Sequence, residues 1–198
     1  MPQEYDPIIW LRDTFVKDNK DMPESLRQYR QGDAVTSAQR EEIESFLESR
    51  GLVIGVFPNS VKAFYGKRGT YPVDSMLVER VKEVFPQYNI SIDSALTLPD
   101  EMISAMALGK KKTTVKYKRG TIRLPQPELP IVVKGTDVSR GKATFYEVEI
   151  KPYGKLNCGD AIEDGFGNLI DFMEEMKRAY GDINHEELVS IFRLGKVL

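Results

Sequence analysis

Apolar residues in this chain keep helical spacing in some stretches and two-residue alternation in others, and the two kinds are interleaved without a regular order. Asp6-Pro7 reads as an N-cap followed by a first helical residue, with Ile8, Leu11 and Phe15 on one face. Residues 18–35 are polar and read as a loop. Thr36 and Gln39 form a capping box ahead of a second helix whose stripe is Ile43, Phe46 and Leu47, and Gly51 ends it. The run from Leu52 to Phe57 predicts a strand, Pro58-Asn59 a turn, and Ser60 to Tyr65 the returning strand. Asp74 caps a third helix with Leu77, Val81 and Val84 inward and Pro86 as its stop. Pro99-Asp100 opens a short helix that closes at Gly109.

The pattern changes in the second half. Residues 113–124 alternate and predict a hairpin, Pro125, Pro127 and Pro130 a stiff extended link, and Ile131-Val132-Val133 a short strand. Residues 143–151 form the clearest strand: Thr144, Tyr146, Val148 and Ile150 on one face, Phe145, Glu147, Glu149 and Lys151 on the other. A long helix follows, with Phe166, Leu169, Ile170, Met173, Met176 and Tyr180 at helical spacing and Gly181 as its end. Asn184 with Glu187 predicts a last short helix. Mixed helices and hairpins favour an α+β fold: a helix-rich N-terminal half with a β-hairpin, a strand-rich antiparallel middle, and C-terminal helices packed on the sheet. The boundary near residues 86–98 divides the chain into 1–90 and 91–198, or the two parts form one continuous domain.

Composition narrows the class. At 198 residues and 41% hydrophobic, the chain is long and apolar enough for a folded core. The start shows neither a basic segment nor an apolar one, so no secretory signal is expected. No run approaches the roughly 20 apolar residues that span a bilayer. Cys158 is the single cysteine, which excludes an internal disulfide and a cysteine-based zinc site. The location expected is cytoplasmic, or the virion for a viral protein, and no membrane partner is expected.

The net charge is only −2, but its distribution is polarised. Lys110, Lys111, Lys112, Lys116, Lys118, Arg119 and Arg123 lie in a stretch without acids, whereas residues 160–187 carry nine acids against Lys177 and Arg178. A basic hairpin can contact phosphates by releasing condensed counterions, and Tyr117 within it can stack on a base. The simpler alternatives are a solvated edge that resists aggregation and a basic arm that meets an acidic neighbouring subunit. Tyr65-Gly66-Lys67-Arg68-Gly69-Thr70 echoes Tyr117-Lys118-Arg119-Gly120-Thr121, which adds Lys67 and Arg68 to the nucleic-acid candidates. The echo falls short of an internal repeat.

Asp137, then Glu149-x-Lys151 on a strand, resembles the PD-(D/E)xK nuclease core. The resemblance implies two carboxylates holding Mg²⁺ and a lysine that activates water, with Glu147 as a neighbouring acid. Thr136 stands where that family has Pro, and acid-x-Lys recurs at Asp18/Lys20 and Glu175/Lys177. The simpler reading is the solvent face of an amphipathic strand. No other cofactor is expected. His185, the only histidine, is expected exposed at a helix start. Cys158 is expected to be a buried structural cysteine rather than the partner of His185. Gly165 and Gly167 follow no strand, so they fit close packing or a late helix start rather than a dinucleotide loop.

The function expected is a non-catalytic subunit of a larger assembly, such as a virus or phage particle or a nucleoprotein machine, touching nucleic acid or a partner through residues 110–123. The partners expected are other protein subunits, in a homo- or hetero-oligomer, and DNA or RNA. The Mg²⁺-dependent nuclease is the alternative.

Overall fold

Strands from both halves of the chain meet in one sheet. The computed structural model describes Arg12 and residues 20–30, 33–49, 54–57, 60–64 and 75–197, with backbone alone at positions such as 54–57, 60–64 and 75–77. Among the residues described from 20 onward, three helices and a hairpin come first: α1 (Glu24–Gln28), α2 (Ser37–Ser49), strands β1 (Ile54–Phe57) and β2 (Ser60–Phe64), and α3 (Ser75–Val84). Then follow β3 (Asn89–Asp93), β4 (Leu96–Leu98), α4 (Asp100–Ala107), β5 (Thr113–Lys116), β6 (Thr121–Pro125), β7 (Glu128–Val133) and β8 (Ser139–Pro152). A 3₁₀ turn at Tyr153–Lys155 leads to α5 (Cys158–Glu163), α6 (Leu169–Tyr180) and β9 (Leu188–Val197).

The long strand β8 organises the sheet. One of its edges carries β7 and then β2; the other carries β9 along most of its length, and β9 in turn holds β5. β1 pairs with β2 as the expected hairpin, with Phe57 opposite Ser60. β4 pairs with β7 in parallel, so the main sheet is mixed and not purely antiparallel, and β3 with β6 forms a separate two-stranded parallel sheet.

The α+β class stands, but the helix-rich first half does not. Among the described residues before 90, three helices share the chain with strands and with non-helical stretches at 29–30 and 33–36. The helix expected at 8–15 lies outside the described residues apart from Arg12, as does Asp74. Thr36 and Gln39 do make the capping box, through Thr36 N to Gln39 Oε1 (3.0 Å) and Gln39 N to Thr36 Oγ1 (3.2 Å).

Three second-half expectations change. Residues 113–124 form no paired hairpin: Gly120, at φ 62°, turns the chain, and only Lys118 and Thr121 bridge. β5 then joins β9, while β6 joins β3 in parallel. The helix expected at Asn184–Glu187 is a turn into β9, a strand whose Val189, Ile191 and Phe192 are all buried. Packing on both faces of the sheet outweighs the local capping signal there. Finally, register shifts between Thr144 and Glu147 put Phe145 in one cluster with Val148 and Ile150.

Two apolar clusters hold the described core. The larger includes Leu26 and Ile43 from the first half with Phe145, Ile150 and Phe192 from the second, so it crosses the boundary near 86–98. The smaller lies under α6, where Phe172 and Met176 cover Val115, Val189 and Ile191. Burying each of those two α6 side chains contributes about 2–3 kcal/mol. Asn168 caps α6 by accepting from Asp171 N (2.9 Å), and Asn157 caps α5 in a reciprocal box with Asp160. These two caps fix where α6 crosses the end of β5.

Candidate functional site

A half-open cavity of about 300 Å³ lies between the start of α4, strands β5 and β6, and helix α6. Its apolar wall is Met102, Phe166, Phe172 and Met176, with Tyr180 at one side. Its polar groups are Thr114, Lys111, Lys116, Arg123, Lys134, Asp164 and Glu175. Thr114 and Lys116 are two apart on β5 and so share a face.

The cations differ in how they are held. Lys111 is buried and ion-paired with the Asp164 carboxylate, and its Nζ also donates to the Asp164 carbonyl oxygen (3.1 Å). Val115 N donates to Asp164 Oδ2 (3.2 Å), which fixes that carboxylate against β5. Burial pushes the Lys111 ammonium down to about 7; nearby Lys116 adds to the fall and Glu175 opposes it. Arg123 is clamped by Asp93, Nε to Oδ1 at 3.0 Å and Nη2 to Oδ2 at 2.6 Å. That bidentate pairing is the strongest form of charge-assisted hydrogen bond available to it.

Lys116 is different. Its side chain is 8% exposed, and among the described residues it has neither a hydrogen bond nor an ion pair. Burial pushes its ammonium down to about 8, with Arg123 and Lys134 lowering it further and Asp93 resisting. A buried cation without a partner is costly, and such groups concentrate where a ligand completes them. Lys134 is exposed in the turn after β7, again without an ion pair among the described residues. Glu175 is taken by Arg178, Nη2 to Oε2 at 2.6 Å.

The basic stretch is therefore divided rather than displayed on one hairpin. Lys110, Lys112, Lys118 and Arg119 are exposed, whereas Lys111 and Lys116 point into protein. β5 is buried on both faces: Val115 packs under α6, Lys116 alternates to the other face, and pairing with β9 holds the strand there. Tyr117 is half-buried and packs edge-on against Tyr180 at 5.9 Å, so its ring is already partly occupied. Tyr180 donates from its hydroxyl to Val115 O (3.2 Å). Lys67 and Arg68 lie outside the described residues.

The nuclease set is not brought together. Asp137 is exposed in the turn before β8, and the strand from Ser139 to Glu149 spans about 33 Å at about 3.3 Å per residue. One metal ion cannot bridge them. Nor is Glu147-x-Glu149-x-Lys151 a solvent face: all three are buried under α5. Lys151 pairs with Asp160 (2.6 Å), and Arg193 reaches Glu147 (3.1 Å) and Glu163 (2.5 Å). Among the described residues no group of three or more His, Cys, Asp or Glu side chains could hold a metal ion. Cys158 is exposed, not buried, at the start of α5. His185 is exposed in the turn before β9, 6.1 Å from the Tyr153 ring, with no hydrogen bond to Cys158 among the described residues.

Sequence reasoning missed Asp93, Thr114, Lys134, Asp164 and Glu175 as parts of one site. Asp164 is visible only as a member of an acidic run, Glu175 only there and in the acid-x-Lys recurrence, and Asp93 and Lys134 carry no local motif.

No family model and no curated protein matches the chain. Among solved structures, one similar chain is an ASCH domain from Lactobacillus crispatus: 14% identity, 61% of this chain and 87% of that chain covered, TM-score 0.38. Another is a point mutant of ZmASCH from Zymomonas mobilis: 17% identity, 55% and 70% covered, TM-score 0.38. Likenesses this slight assign no role to this chain. Among the described residues, no helix is long and apolar enough to cross a membrane.

Proposed function

We propose that this protein binds nucleic acid, seating one nucleotide in the cavity between β5 and α6 while the exposed lysines hold the neighbouring backbone. The observation that carries the reading is Lys116, a buried ammonium lining the cavity without a protein partner. A phosphate supplies the missing charge. The cavity, about 300 Å³, is at the small end of ligand pockets, which run from about 300 to 1,000 Å³. Phe166 and Tyr180 line the cavity, each already packed against a second ring, Phe172 and Tyr117, so a base would meet only their remaining edges and faces. Lys110, Lys112, Lys118 and Arg119, adjacent in sequence to the buried lysines, supply the outer field.

The test is fluorescence anisotropy of short single-stranded RNA and DNA over a salt series. Lys116→Met is expected to weaken binding at least about tenfold and to lower the salt slope by about one. Unchanged affinity in that variant overturns the reading. Protein partners are a second proposal, favoured by the exposed side chains of Leu108, Ile162 and Ile170. Solution mass measured against concentration tests it, and a strictly monomeric protein rejects self-assembly.

A further inference from the structure

We propose that the cation pair Lys116 and Lys134 recognises a phosphomonoester, so that the cavity takes a nucleotide carrying a terminal phosphate rather than one inside a strand. This rests on the nucleic-acid reading above and names its ligand chemistry.

The argument is a count of charges that are already neutralised. Lys111 is taken by Asp164, Arg123 by Asp93, and Glu175 by Arg178. Of the charged groups lining the cavity, Lys116 and Lys134 are left, and neither has an ion pair among the described residues. Two uncompensated cations match a phosphomonoester, which carries about −1.5 to −2 at neutral pH. An internal phosphodiester carries one charge and would leave the second cation unmatched. The clamp on Arg123 matters as well. Asp93 occupies its Nε and one terminal nitrogen, so the side chain is held still beside Lys116 with donors to spare. Thr114, on the same strand face as Lys116, adds a neutral hydroxyl inside the cavity.

Calorimetric titration of the full chain tests this with five probes: inorganic phosphate, adenosine 5′-monophosphate, adenosine, and one oligonucleotide with and without a 5′-phosphate. The phosphorylated oligonucleotide is expected to bind at least about tenfold more tightly than its unphosphorylated form. Lys116→Met and Lys134→Ala should each erase most of that increment, and melting curves establish that both variants are folded. Equal affinity for the two oligonucleotides, with binding still dependent on Lys116, overturns the phosphomonoester inference and leaves the nucleic-acid reading standing. Binding of adenosine 5′-monophosphate but of neither oligonucleotide supports the phosphomonoester inference, rejects the nucleic-acid reading, and makes a free mononucleotide the source. Failure of every phosphate-bearing probe to bind overturns both.

Discussion

Lys111 and Asp164 are joined twice: ammonium to carboxylate, and ammonium to the backbone carbonyl oxygen of the same residue at 3.1 Å. The link ties the segment entering β5 to the end of α5, and both side chains are buried. Lys111→Met removes the cation and leaves the Asp164 carboxylate with only Val115 N as a partner. Breaking a buried pair from one side destabilises by about 3–5 kcal/mol. A clear fall in the urea midpoint of that variant is expected, and Asp164→Asn should fall with it.

Lys116→Met, in the same cavity, should act with the opposite sign. Its ammonium has no partner to orphan, and methionine fills similar space without desolvating a charge. With a folded value of about 8 against the ordinary 10.5, the lysine opposes folding by about 3 kcal/mol at neutral pH. Below pH 8 both the folded and unfolded chains keep the proton, so the penalty is complete. Between 8 and 10.5 the folded chain releases it and the unfolded chain does not, so wild-type stability rises with pH. The advantage of Lys116→Met should therefore be large at pH 7 and mostly gone at pH 10, measured by urea unfolding at both. Gained stability with lost binding is the trade expected of a functional group.

Phosphate binding should follow the same ammonium. Lys116 faces Lys111, Arg123, Asp93 and Lys134, of which Lys111 is held by Asp164 and Arg123 by Asp93. A bound dianion favours the charged amine, so affinity holds below pH 8 and weakens as pH climbs above it. A phosphomonoester gains its second charge near about pH 6, so affinity should also weaken below that value. Calorimetry with adenosine 5′-monophosphate from pH 5 to 9.5 checks both limbs, and Lys116→Met should lose the alkaline one.

On the other side of β8, Arg193 joins three elements, reaching Glu147 at 3.1 Å and Glu163 at 2.5 Å, with Glu149 further off at 3.8 Å. Arg193→Ala leaves these acids facing one another under α5, and a loss of about 3 kcal/mol or more is expected in urea unfolding. Arg193→Lys should recover only part of it, because an ammonium cannot reproduce the fork.

The same acids show why the site was only partly legible in the sequence. Alternation located β8 and helical spacing located α6, because each follows from one element burying one face. The charges at 147, 149 and 151 looked like a solvated face, and only α5 lying over them makes them buried. The basic run at 110–123 was conspicuous, but pairing between β5 and β9, eighty residues apart in register at Thr113 and Arg193, decides which lysines turn inward. Asp93 meets Arg123 through a parallel pairing that no turn signal announces. Long-range pairing of this kind has no local signature.

Gly165 and Gly167 looked interchangeable as residues that permit close packing before α6, and the structure separates them. Gly165 has φ 96°, a region that L side chains rarely adopt, and a Cβ there would sit 3.4 Å from Lys111 Cβ and 3.5 Å from Lys110 O. Gly167 meets nothing within 4 Å and is not left-handed. Gly165→Ala should therefore destabilise by about 1–3 kcal/mol through backbone strain. Gly167→Ala should be neutral or slightly stabilising, since it only restricts the unfolded chain. Urea unfolding of the two variants side by side checks the contrast. Equal effects would mean that the left-handed backbone at Gly165 carries no strain that glycine relieves.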